Sequence, residues 1–102
     1  MFGFLKKLFG SEQVDLSTLV KAGAKMVDVR SKAEFASGRA KGSINIPLDE
    51  IGSKSTQFKK DEVIIVCCRS GNRSASAQRI LKQKGFSQVY NAGPWTNLRN
   101  LK

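Results

Sequence analysis

The sequence predicts an α/β domain in which helices cover a parallel sheet. Three observations carry that reading. Apolar strand-like runs alternate with short helical segments along the chain. Residues 63–67 are five consecutive apolar side chains, mostly β-branched, as in a strand buried on both faces. Capping residues and glycines stand where short helices must begin and end: Asp15, Ser31 with Glu34, and Gly85. A chain of 102 residues accommodates one domain of this kind.

The elements follow in order. Phe2, Leu5, Leu8 and Phe9 recur at helical spacing with Lys6 and Lys7 opposite. Residues 1–10 therefore read as an amphipathic tail. It either touches a membrane surface or a protein partner, or docks on its own domain or frays. Gly10 and Ser11 interrupt the pattern, so the folded domain is predicted over 11–102. Asp15 caps a helix over 16–21 that Gly23 ends, and Met26, Val27 and Val29 form a strand. Ser31 and Glu34 have capping-box spacing and open a helix ending near Gly38. Ile44 and Ile46 form a second short strand, which Pro47 stops while starting a helical turn through Ile51. Residues 59–62 are a charged connector to the central strand. A helix over 74–84 carries Ala75, Ile80 and Leu81 on its apolar side and closes at Gly85. Val89 and Tyr90 make a last strand; Asn91, Gly93 and Pro94 are expected to turn the chain, and 95–101 to form a final helix.

Composition narrows the chemistry. With 18 Lys and Arg against 8 Asp and Glu, the formal charge is +10. A field of that sign attracts anions, whether small substrates, acidic partners or polyanions, unless it is only a solvated surface. Aromatics are few and not interleaved with basic residues, so nucleic acid is not the expected partner. There is no histidine, which removes His-based acid–base catalysis, a Cys–His pair and the usual zinc ligand sets. No cofactor or metal is expected. The two cysteines, Cys67 and Cys68, are neighbours and poorly placed for a structural disulfide. Nothing reads as a transmembrane span or secretory signal, so the expected location is the cytoplasm. The inner face of a membrane is the alternative if residues 1–10 engage lipid.

The informative segment is Cys67-Cys68-Arg69-Ser70-Gly71-Asn72-Arg73-Ser74, which leaves the buried strand and enters a helix. Ligands of parallel sheets bind beyond the carboxyl ends of the strands. A tight loop entering a helix there aims backbone N–H groups at one point, and the helix dipole adds to them. A thiol in such a cradle ionises more readily, and Arg69 and Arg73 reinforce the effect. Gly71 permits the tight turn. Alternation along the strand sends Cys67 into the core, leaving Cys68 as the candidate nucleophile.

At these residues the sequence resembles the rhodanese family. The stretch from Val66 to Ser74 is similar to that family's active-site loop, with the catalytic cysteine at Cys68. Val27-Asp28-Val29-Arg30, followed by Glu34-Phe35 and Gly38, resembles its Asp-x-Arg and Glu-Phe-x-x-Gly motifs. Gly42-Ser43-Ile44-Asn45-Ile46-Pro47 and Val89-Tyr90-Asn91-Ala92-Gly93 with Trp95 extend the likeness over roughly residues 14 to 102. Three features depart from the family pattern: Arg39 stands where histidine is usual, Cys67 stands where an aromatic often precedes the nucleophile, and a further glycine common near Pro94 is missing.

The resemblance implies a three-layer fold, with a central, mostly parallel sheet between helices. It also implies a sulfurtransferase that carries sulfur as a persulfide on Cys68. Arg69, Ser70, Gly71, Asn72 and Arg73 would bind a small anionic donor such as thiosulfate. Cyanide or a thiol would accept the sulfur. Asp28 and Arg30 would brace the site, or form an ordinary ion pair. Two other readings stand beside this one. Counted from Cys67, the loop has the Cys-x5-Arg-Ser spacing of a cysteine phosphatase. A non-catalytic binding module of the same fold is the other.

Overall fold

The computed structural model describes residues 15–101, so the tail assigned to 1–10 lies outside the described residues. Four strands form one sheet in the order β2-β1-β3-β4, and every pairing is parallel. The strands are β1 (Lys25–Asp28), β2 (Ile44–Asn45), β3 (Val63–Cys68) and β4 (Gln88–Pro94). The helices are α1 (Leu16–Lys21), α2 (Lys32–Ser37), α3 (Leu48–Lys54) and α4 (Asn72–Gln83). Single 3-10 turns cover Ser55–Gln57 and Trp95–Leu98. Each parallel connection crosses over the sheet through a helical segment, as the geometry of parallel pairing demands.

The strands alternate their side chains between two cores. On one face Val27, Ile64, Val66 and Val89 pack with Ile51 of α3 and Ala77 and Leu81 of α4. On the other, Met26, Ile65 and Ala92 pack with Val20 of α1 and Leu98. Helices therefore lie on both faces, giving the expected three layers. Strand β3 sits between β1 and β4 with all but its first residue buried, which is why its sequence is uninterrupted apolar.

The expected caps are present. Asp15 accepts hydrogen bonds from the Ser17 and Thr18 N–H groups at the start of α1. Ser31 and Glu34 close a reciprocal capping box on α2. Three expectations need correction. The turn predicted at Asn91, Gly93 and Pro94 is instead the end of β4. There the Asn91 carboxamide oxygen accepts the Gly93 N–H at 2.8 Å, a turn-like contact that is absorbed as a bulge. The register steps from Val66 opposite Asn91 to Cys67 opposite Gly93, leaving Ala92 as the extra residue. Second, the final helix is only the 3-10 turn Trp95–Leu98. Third, the turn after Pro47 continues to Lys54, because Ile51 anchors it to the core and Lys54 pairs with Glu50.

Leu81 is fully buried where α4 meets the sheet. Leu81→Ala is expected to cost about 2–5 kcal/mol in urea unfolding, whereas Ser31→Ala, which removes a cap, should cost about 1 kcal/mol.

Candidate active site

The site is built at the carboxyl end of β3. The pleat sends the two cysteines to opposite faces. Cys67 joins the α1-side core and Cys68 the α4-side core. Cys67 is fully enclosed, and burial followed by the Asp28 carboxylate pushes its thiol far up. It is held as a neutral core residue.

Cys68 is also buried, at 1% exposure, but its surroundings are different. The chain passes through Arg69 and Ser70, reverses at Gly71 and enters α4 at Asn72. The Gly71 N–H donates to the Cys68 sulfur at 2.9 Å. Gly71 has φ +112°, and a Cβ there would also meet the Gly93 backbone at 3.5 Å. The turn therefore relies on a residue without a side chain. The Ser74 hydroxyl lies 3.3 Å from the sulfur and 3.1 Å from the Gly71 carbonyl. It has one proton and two acceptors, so turning it to the sulfur stabilises the thiolate. Burial raises the Cys68 pKa. The Ser74 hydroxyl and the N–H groups of Ser74, Gly71 and Ser70 outweigh that and hold it below the ordinary thiol value.

The other expected residues fall around this loop. Arg69 and Asn72 are exposed beside it, as is Ser70. Arg73 is half-buried and gives both terminal nitrogens to Glu34, at 2.7 and 3.0 Å. This bidentate pair ties the start of α4 to α2. The Arg73 hydrogen bonds, then the Ser31 N–H, hold the Glu34 carboxyl down to about 2. Asp28 and Arg30 stand one strand away, with Asp28 in register with Cys67. Both are buried, and Arg30 forks onto the Asp28 carboxylate at 2.8–3.0 Å. Arg30 also donates to the Gly38 carbonyl and lies 4.8 Å over the Trp95 ring. A cleft of about 380 Å³ opens beside Arg73, lined by Val29, Ser31, Pro47, Leu48 and Asp49.

Sequence reasoning missed four contributors. Ser74 was in the loop but had no assigned role, although its position one turn into the helix carries its hydroxyl back to the thiol. Glu34 was legible as a cap and as part of a family motif, and not as the partner of Arg73. Asn45 donates to the Asp28 and Arg30 carbonyls, at 2.9 Å each, and fixes the end of β1. Trp95 packs over Arg30 and against Gly38, a contact across the sheet that no local pattern announces.

The site thus sets one thiol with a lowered pKa in the strand-to-helix loop of a parallel α/β domain. Comparison makes the assignment specific. The rhodanese-like domain family matches residues 11–93, and the chain belongs to that family. It is 33% identical over 76 residues to the thiosulfate sulfurtransferase PspE of Escherichia coli strain K12, covering 72% of this chain and 73% of PspE. It is 33% identical over 75 residues to the putative sulfur carrier protein YrkF of Bacillus subtilis, covering 70% of this chain and 40% of YrkF. Several curated relatives are matched over less than two thirds of their length. Among solved structures, a rhodanese with anions from E. coli superposes with a TM-score of 0.69 at 31% identity, covering 74% of this chain and 91% of that one.

Two measurements test the site. Titrating the ultraviolet absorbance of the thiolate should give a Cys68 inflection below that of free cysteine, and Ser74→Ala should move it upward. The Glu34–Arg73 pair sets an acid limit. Because the folded pKa of Glu34 is depressed, its contribution is present above the ordinary value of 4.5 and is lost as pH falls towards about 2. Over that window the wild-type melting temperature should approach that of Glu34→Gln, while at pH 7 the wild type should be the more stable.

Proposed function

We propose that this chain is a sulfurtransferase that carries sulfane sulfur on Cys68. The observation that carries the reading is a buried sulfur that accepts the Gly71 N–H at the head of α4 while its pKa is lowered. The Cys68 thiolate attacks the outer sulfur of a donor such as thiosulfate. The donor S–S bond breaks and sulfite departs with the bonding pair, leaving a persulfide on Cys68. A thiophilic acceptor, cyanide or a thiolate, then attacks the outer sulfur, and Cys68 leaves as the thiolate. Sulfur moves at an unchanged oxidation level, so no external oxidant or reductant is consumed. Splitting the transfer into two displacements is ordinary covalent catalysis.

The loop divides the work. The N–H groups of Ser70 and Gly71 and the Ser74 hydroxyl hold the negative sulfur. Exposed Arg69 contacts the anionic donor, with Asn72 beside it. Arg73 contributes its charge from within the Glu34 pair, and Asp28 with Arg30 braces the neighbouring strand. Burial of Cys67 on the opposite face favours this reading over a phosphatase counted from Cys67. The retained, activated thiol favours it over a non-catalytic module.

Intact mass after incubation of the reduced protein with thiosulfate provides the test. Wild type and Cys67→Ser should each gain one sulfur atom that cyanide removes, and Cys68→Ser should gain none. An adduct that persists in Cys68→Ser, or phosphate-ester hydrolysis that depends on Cys67, would overturn the proposal.

A further inference from the structure

Most arginines of this chain gather at one end of the sheet, where Lys32, two residues after Arg30, stands as well. The chain has 6 arginines and 12 lysines. Five of the arginines (Arg30, Arg39, Arg69, Arg73 and Arg99) belong to the carboxyl end of the sheet, where Cys68 lies. Only Arg79, on α4, stands apart. The contacts establish this grouping. Arg30 follows β1 and lies over Trp95, and Arg99 lies over the same ring at 5.3 Å. Gly38, which immediately precedes Arg39, packs against Trp95. Arg39 itself lies 4.9 Å over the Phe35 ring. Arg69 directly follows Cys68 at the end of β3, the residue that pairs with Pro94 just before Trp95.

Two of the five are neutralised, Arg30 by Asp28 and Arg73 by Glu34. Arg39, Arg69 and Arg99 are exposed and form no salt bridge among the described residues. Arg99 lies over the half-buried Trp95 and Arg39 over the half-buried Phe35. Arginine, tryptophan and phenylalanine are enriched in protein interfaces, where lysine is depleted. Lys59 and Lys82, by contrast, are exposed at the beginning of β3 and the end of α4.

We infer that this arginine–aromatic rim is a docking surface for an acidic protein segment that presents a thiol to Cys68. The inference names the exchange partner of the proposed sulfurtransferase and to that extent rests on it. Carboxylates of the partner would engage Arg39 and Arg99 bidentately, while its cysteine thiolate takes the outer sulfur from the Cys68 persulfide and frees the Cys68 thiolate.

Trp95 is the only tryptophan in the chain, so its emission reports docking independently of any sulfur chemistry. The probes are a cysteine-containing peptide rich in Asp and Glu, the same peptide with Asn and Gln in their place, and a single-stranded oligonucleotide of equal charge. The acidic peptide should perturb Trp95 emission, and raising salt should weaken its binding. It should also discharge the persulfide faster than the neutral peptide. The double variant Arg39→Glu, Arg99→Glu should bind it at least about tenfold more weakly and still discharge to cyanide at the wild-type rate. Lys59→Glu, Lys82→Glu carries the same net charge and should bind as wild type. Equal binding of the neutral peptide, tighter binding of the oligonucleotide, or equal loss in the two double variants would overturn the inference. Docking without a sulfur adduct on Cys68 would leave the surface standing and remove the sulfurtransferase reading.

Discussion

Enclosure of β3 is the constraint on which the rest depends. It has a strand on each side and a core on each face, so its side chains can meet solvent only where the strand ends. Its last residue is Cys68. The chain must then reverse and start α4 within a few residues, and the reversal gathers N–H groups around that residue's sulfur. An apolar environment alone would keep the thiol protonated, as it does at Cys67. The same strand thus holds one inert sulfur and one ionisable sulfur, separated by a single pleat and by access to the head of a helix.

The loop keeps its shape through ion pairs anchored elsewhere. The Asp28–Arg30 pair is buried, and removing one partner of such a pair leaves an uncompensated charge costing several kcal/mol. It joins the end of β1 to Gly38 and Trp95, and through Trp95 to the end of β4. Glu34–Arg73 does the corresponding work between α2 and α4. Gly71 and Gly93 hold positive φ, +112° and +77°, which lets the β3 loop and the β4 bulge turn. The thiol is therefore positioned by three chain segments that are distant from it in sequence, although it is activated by residues within six positions of it.

That division explains what the sequence disclosed. Local chemistry was legible: the caps at Asp15 and Ser31, the closing glycine at Gly85, the buried run ending in cysteine, and the fate of each cysteine from strand alternation. Contacts between segments were not. Nothing near Glu34 distinguishes a helix cap from the partner of Arg73, since it serves as both. Asn91, Gly93 and Pro94 have the composition of a turn, and only pairing with β3 makes them a bulged strand. Trp95 reads as the start of a final helix until the arginines stacked on it are known. The family motifs located Cys68 and its loop, whereas the division of its arginines between pairing and exposure required coordinates.

The opposed faces of Cys67 and Cys68 also bear on oxidative damage. A sulfenic acid formed on a reactive cysteine is commonly rescued by condensation with a second thiol of the same protein. Here the nearest thiol in sequence is turned into the other core and kept protonated. Closing a bridge between the two would require β3 to leave the sheet. Resolution of an oxidised Cys68 would therefore fall to a thiol other than Cys67, which ties its recovery to the reducing capacity of the surroundings.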